Sequence, residues 1–424
     1  MELYHIIVAL TIFIVIYTFI ISEKINRTTI AFFGATLLLI FKILSQEQAI
    51  ETIDFNTIGM LIGMMVIVNI LRRTGAFEYM AIKSAKLVGG EPWKVLVVFA
   101  ILTAVASALL DNVTTILLII PVTLVITETL EVNPVMFILP LILASNIGGT
   151  ATLIGDPPNI MIGSASGMGF MDFILNLAPI VIIIFIAVIF IFRLLYKKNL
   201  KISDEKREKI MQMDEKLAIK DKVLLKKGLF VLGLTIVGFV LHQYLNFESA
   251  TVALVGAALL LLISKLDPEE ILLDVEWPTI FFFIALFILV GGLEEVGVID
   301  FLAKSLLSVT GDNIVLLAIL ILWGSAVASA FLDNIPFVAT MIPLIKSIAL
   351  MSAMPITPMW WALALGACLG GNGTLVGASA NVIASGMLKK HGHKLSFMDY
   401  TKVGFPIMIV SIVLSTAYLI IFYL

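Results

Sequence analysis

Residues 105–112 read VASALLDN and residues 327–334 read VASAFLDN, and the offset of 222 residues between them holds far beyond these positions. TTIAFFGATLLLI (28–40) lies over ATVALVGAALLLL (250–262), Pro121 over Pro343, and GGTATLIGDPPN (148–159) over GGNGTLVGASAN (370–381). After five extra residues, FMDF (170–173) matches FMDY (397–400) and Pro179 matches Pro406. One ungapped register of this length is a tandem duplication, because apolar composition alone does not align Asp, Asn, Gly and Thr. Whatever the chain folds into, it does so twice.

The medium is set by composition. Of 424 residues, 60% are hydrophobic and 13% charged, with a mean hydropathy of +1.11, far outside the soluble globular range. Apolar runs of about 20 residues recur, each long enough for roughly 30 Å of hydrocarbon. The chain therefore reads as an all-α integral membrane protein with no room for a soluble catalytic domain, and not as an enzyme. A net charge of -3 without basic clusters gives no support to nucleic-acid binding. The single cysteine, Cys368, excludes an intramolecular disulfide and argues against a thiolate metal cluster. No GxxxxGK[ST] sequence is present, so ATP hydrolysis does not reside in this chain. Glu2–Ile21 lacks a basic leading segment and a cleavage site, and reads as the first membrane helix.

Each copy offers full-length helices, then two shorter apolar stretches that meet at an Asp-Asn pair, then a helix interrupted by glycines. The expected organisation is repeat 1 over 1–196 with a re-entrant hairpin at 92–127 and a broken helix at 135–165, a charged linker at 197–227, and repeat 2 over 228–424 with a hairpin at 313–350 and a broken helix at 359–388. A hairpin that does not cross leaves about five crossings per repeat, and an odd number inverts the second copy. The charges agree. Lys24, Arg27, Arg72, Arg73, Lys83, Lys86, Lys94, the linker and Lys389, Lys390 and Lys394 fall on one side, whereas copy two carries Glu294, Glu295 and Asp300 at the positions around Arg72 and Arg73. The positive-inside rule makes that side cytoplasmic, both termini extracytoplasmic, and the location a cell or inner membrane. The linker reads as a solvated or surface-lying helix.

Polar residues inside the spans are the candidate site. An aspartate at a helix centre costs about 2.5 to 3.5 kcal/mol on insertion scales, yet Asp111 and Asp333 stand at equivalent positions, followed by Asn112 and Asn334. Each can hold sodium or a proton, or can cap the helix that follows. Thr114 and Thr115 accompany the first tip. The breaks, with Asn146, Gly149, Thr150, Thr152 and Asn159 in copy one and Gly371, Asn372, Thr374 and Asn381 in copy two, unwind the helix and free carbonyls and N–H groups for a solute or ion. Asp156 of Asp156-Pro157-Pro158 has no counterpart in Ala378-Ser379-Ala380. It reads equally as a third site carboxylate or as a loop residue before a rigid turn.

At ALLDNVTTILLIIPVT, NIGGTATLIGDPPNIMIG, FLDNIPFVATMIPL and GGNGTLVGASANVIASG the chain resembles the ion transporter superfamily, in its arsenite permease, sodium/proton antiporter and P-protein branch of citrate-transporter-like permeases. The resemblance implies two hairpins, two broken helices and an elevator-like movement of a transport domain against a scaffold. It also implies that the tips and breaks bind the solute, here Asp111, Asn112, Thr114, Thr115, Gly149, Thr150, Thr152, Asp333, Asn334, Asn372 and Thr374. Its expected function is proton-coupled export of arsenite, antimonite or Na+, the alternative being sodium-coupled import of a di- or tricarboxylate or an inorganic anion. No organic cofactor is expected, and the coupling ion is H+ or Na+. Expected partners are the bilayer, a small inorganic or organic ion, a second copy as homodimer and, as in arsenite permeases, a separate ATPase.

Overall fold

The computed structural model describes all residues except 1–2, 23, 197–199, 201–202, 312 and 353. Copy one supplies ten helices: α1 (Leu3–Ser22), α2 (Arg27–Ile40), α3 (Gln46–Glu51), α4 (Phe55–Arg73), α5 (Ala76–Leu87), α6 (Pro92–Leu109), α7 (Asn112–Leu130), α8 (Val135–Gly149), α9 (Pro157–Ser166) and α10 (Phe170–Tyr196). A linker helix, α11 (Asp204–Met211), follows. Copy two repeats the set as α12 (Lys222–Leu241), α13 (Ser249–Ser264), α14 (Pro268–Leu273), α15 (Trp277–Glu295), α16 (Val298–Thr310), α17 (Ile314–Phe331), α18 (Asn334–Met351), α19 (Thr357–Gly370), α20 (Ser379–Lys390) and α21 (Phe397–Phe422). No strand occurs among the described residues.

Helix boundaries carry the duplication: α2 to α9 each begin 222 residues before α13 to α20. The local causes are duplicated too. Gly75 and Gly297, at φ 76° and 78°, turn α4 into α5 and α15 into α16, a left-handed conformation that favours glycine. Prolines open α6, α9, α14, α15 and α19, where a missing N–H costs nothing. Asp54 caps α4 through the N–H groups of Asn56 and Thr57. The short pairs α3/α14 and α5/α16 were not foreseen in the sequence. They are amphipathic pieces between crossings rather than spans. The linker also differs from expectation: its helix is only 8 residues long, and α12 starts at Lys222, so the charged positions 222–227 belong to a membrane helix.

Inversion follows from which ends meet. Arg73, the last residue of α4, donates to Asp274 at 2.7 Å, just before α15 begins. Asp54, just before α4, lines a cavity with Glu294 in the last turn of α15. These two equivalent helices therefore run antiparallel. The first hairpin is re-entrant because both of its outer ends meet the linker: Arg207 donates to the Gly89 carbonyl before α6, and Lys206 pairs with Glu131 after α7 at 2.7 Å. On the other face, Ser347 near the end of α18 donates to Asp300 in α16, the helix that precedes α17. Among the described residues, ten helices are long and apolar enough to cross a membrane. Four of these, α6, α7, α17 and α18, are hairpin arms, whereas α8 and α19, at 15 and 14 residues, reach only about 22 Å and cross together with α9 and α20. Tyr423 bonds Asn176 near the start of α10, so the C-terminal end of α21 lies on the face opposite the linker.

The copies interlock. α4 packs on α13 and α2 on α15, the same pair with copies exchanged, and with α1 and α12 they form a six-helix bundle. Outside it, α6 packs on α8 and α17 on α19, while α7 meets α20 and α18 meets α9 across the copies.

The linker is held by Lys86, which donates to Glu215 at 2.6 Å and to the Met213 carbonyl at 2.7 Å. The Lys86 ammonium holds the Glu215 carboxyl below its usual value of 4.5. A depressed folded-state value means the contribution is complete above the unfolded value and is lost as pH falls through the folded one. Limited proteolysis of residues 203–221 is expected to be slow from pH 7 to pH 5.5 and to accelerate below about pH 4. Glu215→Gln should be cleaved quickly at every pH.

Candidate functional site

In both copies the break has the same architecture. Helix α8 ends at Gly149, and the carbonyls that lose their helical partners are collected by one side chain. The Asn159 amide donates to the carbonyls of Gly149, Thr150 and Thr152 at 3.4, 3.2 and 2.9 Å. Asn381 does the same for Gly371 and Thr374 at 2.8 and 3.0 Å. Thr152 donates to the Ala108 carbonyl at 2.5 Å and Thr374 to that of Ala330, which ties each break to the first arm of its hairpin. Thr150 returns its hydroxyl to the Asn146 carbonyl at 2.8 Å. Thus Gly149, Thr150, Thr152, Asn159, Gly371, Thr374 and Asn381 all lie at the breaks, and most of their polar capacity is spent on holding the unwound chain.

What remains converges between the copies. Asn112 at the first tip donates to Asn146 at 3.2 Å, and Asn146 donates to Asn372 and Asn381 of copy two at 2.9 and 3.0 Å. All four are buried. Two buried polar atoms here have no hydrogen-bond partner, the Asn372 amide nitrogen and the Thr115 hydroxyl. Position 368 lies 222 residues after Asn146 and is Cys368, so its thiol faces Asn159 at 3.5 Å where Asn146 faces Asn381. Cys368 is the residue that sequence reasoning left outside the site. The repeat offset alone was enough to place it there.

The three carboxylates do three different things. Asp111, half-buried, caps α7: it accepts from the Thr114 N–H at 2.8 Å and the Thr114 hydroxyl at 2.5 Å. Asp333 caps α18 through the Ile335 N–H at 3.2 Å, and it also accepts from Arg27 and Ser379, both at 2.7 Å. Neither carboxylate joins the asparagine network, so the expectation of a matched pair of ion-binding aspartates gives way to two unlike groups. Asp156, 1% exposed, occupies the N-cap position of α9 without capping it. Its carboxylate accepts from the Asn334 amide of the second tip, at 3.3 and 3.4 Å, and the Cys368 thiol lies beside it. The loop reading of Asp156 is therefore set aside by its burial.

A cavity of about 330 Å³, lined by Tyr17, Asn26, Arg27, Asp333, Ser379 and apolar neighbours, lies at the linker-face ends of α1 and α2. A second, of about 340 Å³, lies on the opposite face beside Asp54, Ser164, Glu294 and Lys346. Arg27 is the other residue missed. Its partner is 306 positions away and no local pattern links them.

The hairpins approach the broken helices closely. A Cβ on Gly148 would lie 2.2 Å from the Ala104 carbonyl oxygen, and one on Gly370 would lie 2.6 Å from that of Ala326. Gly148→Ala and Gly370→Ala are each expected to destabilise by about 1–3 kcal/mol, read as a lower melting temperature of the purified protein. Gly324→Ala, where nothing lies within 4 Å, should leave it unchanged.

A family model described as "Citrate transporter" matches residues 17–366. An uncharacterized transporter of Mycobacterium tuberculosis is 44% identical, covering 97% of this chain and 97% of its own. The P protein of Homo sapiens is 34% identical over 96% of this chain and 58% of its own. Among solved structures, the YdaH transporter of Alcanivorax borkumensis aligns with a TM-score of 0.59 at 12% identity, covering 88% of this chain and 86% of that one; it shares the fold.

Proposed function

We propose that this chain, which belongs to the citrate transporter family, is a proton-coupled antiporter working by elevator-type alternating access, with Asp156 as its coupling group. One observation carries this reading: Asp156 is buried between the copies with no cationic partner among the described residues, only the Asn334 amide and the Cys368 thiol. A carboxylate in that setting needs a neutralising proton or bound cation. Exchange of one for the other, first toward one face and then the other, is antiport. Na+ would be drawn by the Asp156 carboxylate itself, whose charge no cation among the described residues offsets. Arsenite or antimonite, as neutral hydroxides, suit the amides of Asn146 and Asn372. The bundle, both hairpins and both broken helices lie in one chain, so a second copy or a separate ATPase would be an addition to this unit.

Sodium-coupled import of a di- or tricarboxylate or an inorganic anion is the second reading. It is supported by the family's description and by four helix N-termini, those of α7, α9, α18 and α20, which bring positive dipole ends to the tips and breaks. Against it stand three carboxylates and the pairing of Arg27 with Asp333. We read the linker face as cytoplasmic, because Arg72, Arg73, Lys86, Lys389 and Lys390 share it.

The test is a proteoliposome carrying a pH gradient and a pH-sensing dye. Na+ or arsenite is expected to dissipate the gradient, Asp156→Asn to reduce the response to that of empty liposomes, and Asp156→Glu to restore part of it. Gradient-driven exchange that persists in Asp156→Asn would overturn the reading. Accumulation of labelled citrate driven by sodium would replace it with the second.

A further inference from the structure

Arg27 belongs to the six-helix bundle, at the first turn of α2, whereas Asp333 and Ser379 belong to the hairpins and broken helices. One nitrogen of the guanidinium reaches Asp333 Oδ2 and Ser379 Oγ, each at 2.7 Å, and Ser379 itself donates to the same carboxylate oxygen at 2.7 Å. The guanidinium also lies 5.0 Å from the centre of the Phe282 ring on α15, a cation–π contact that fixes it to the bundle. The side chains of Arg27 and Asp333 are 31% and 14% exposed, enough shelter for the pair to outweigh an ordinary surface ion pair. Copy one has no such triangle. Ser249 stands where copy two's partner Arg27 would be repeated, Pro157 stands in place of Ser379, and Asp111 turns to Thr114.

We propose that Arg27 is a tethered cation that latches the second hairpin tip to the six-helix bundle, and that a small monovalent cation reaching Asp333 through the linker-face cavity releases it. Two cations cannot share one carboxylate oxygen at hydrogen-bond distance without strong repulsion, so occupancy by a mobile cation and closure of the latch exclude each other. Release then lets the hairpin group move against the bundle, whereas an empty protein stays where the latch holds it. This rests on the alternating-access reading, but not on which solute is carried or on the role of Asp156.

Spin labels on the full-length protein in lipid nanodiscs test it: Gln46→Cys on the bundle side and Leu350→Cys at the end of α18, both exposed. The label-to-label distance reports movement between the two groups, and Cys368 is buried from the reagent. With potassium as the only cation, one distance should dominate. Arg27→Gln should raise the population of a second distance by at least about fivefold, the lower end of typical coupling between sites. Arg27→Lys should do so less, and Asp333→Asn should match Arg27→Gln. Replacing potassium with sodium should shift the native protein the same way and leave Arg27→Gln unmoved. An unchanged distance distribution in both Arg27→Gln and Asp333→Asn, with melting temperatures showing that the variants fold, would overturn the latch. If the distances shift while Asp156→Asn still exchanges protons, the latch stands and the coupling role of Asp156 falls.

Discussion

Two asparagine side chains make the rest of this structure possible. A helix that unwinds within a bilayer exposes carbonyls to a medium with no water to bond them, and each unsatisfied group costs several kcal/mol. Asn159 and Asn381 remove that cost by spanning the gap with their own amides. With the breaks secured, the helix ends can sit at mid-depth, the hairpin tips can reach them, and Thr152 and Thr374 can tie tip to break. The small residues follow from the same demand: Gly148 and Gly370 let the hairpin backbone come close enough for those bonds.

Function enters where the copies stop matching. Replacing one amide by a thiol, Asn146 against Cys368, leaves Asn334 without the partner that Asn112 has. Asn334 turns instead to Asp156, a carboxylate that copy two lacks. Replacing a proline by a serine, Pro157 against Ser379, supplies the third corner of the Arg27–Asp333 triangle. With Arg27 against Ser249, four differences on a shared backbone thus turn a near-symmetric frame into one whose two ends carry different charges.

Much of this was legible in the sequence, for identifiable reasons. The 222-residue offset revealed the repeat, and parity of crossings with the distribution of Lys and Arg revealed its inversion, because both are properties of a linear string. The Asp-Asn tips and glycine breaks stood out because polar residues within apolar runs are costly. What the string could not carry were pairings between distant parts. Asp111 and Asp333 look identical in the sequence, and only Arg27, contributed from 306 residues away, separates them. Cys368 was within reach, since applying the offset to Asn146 names it. The amphipathic pieces α3, α5, α14 and α16 escaped because they are too short and too mixed for a hydropathy window built to find spans.

The interlocking of α2 with α15 and α4 with α13 has a consequence for how such a molecule is made. When the ribosome has delivered copy one at Tyr196, neither α2 nor α4 has its packing partner, and both faces remain against lipid until α13 and α15 emerge, complete only at Ser264 and Glu295. Copy one is thus inserted long before it is folded. Its topology is fixed by charge and hydropathy, and its hairpin packs within the copy, but the bundle of α1, α2 and α4 closes only with the arrival of its inverted twin. A truncated chain ending in the linker would be correctly threaded and still without its six-helix bundle.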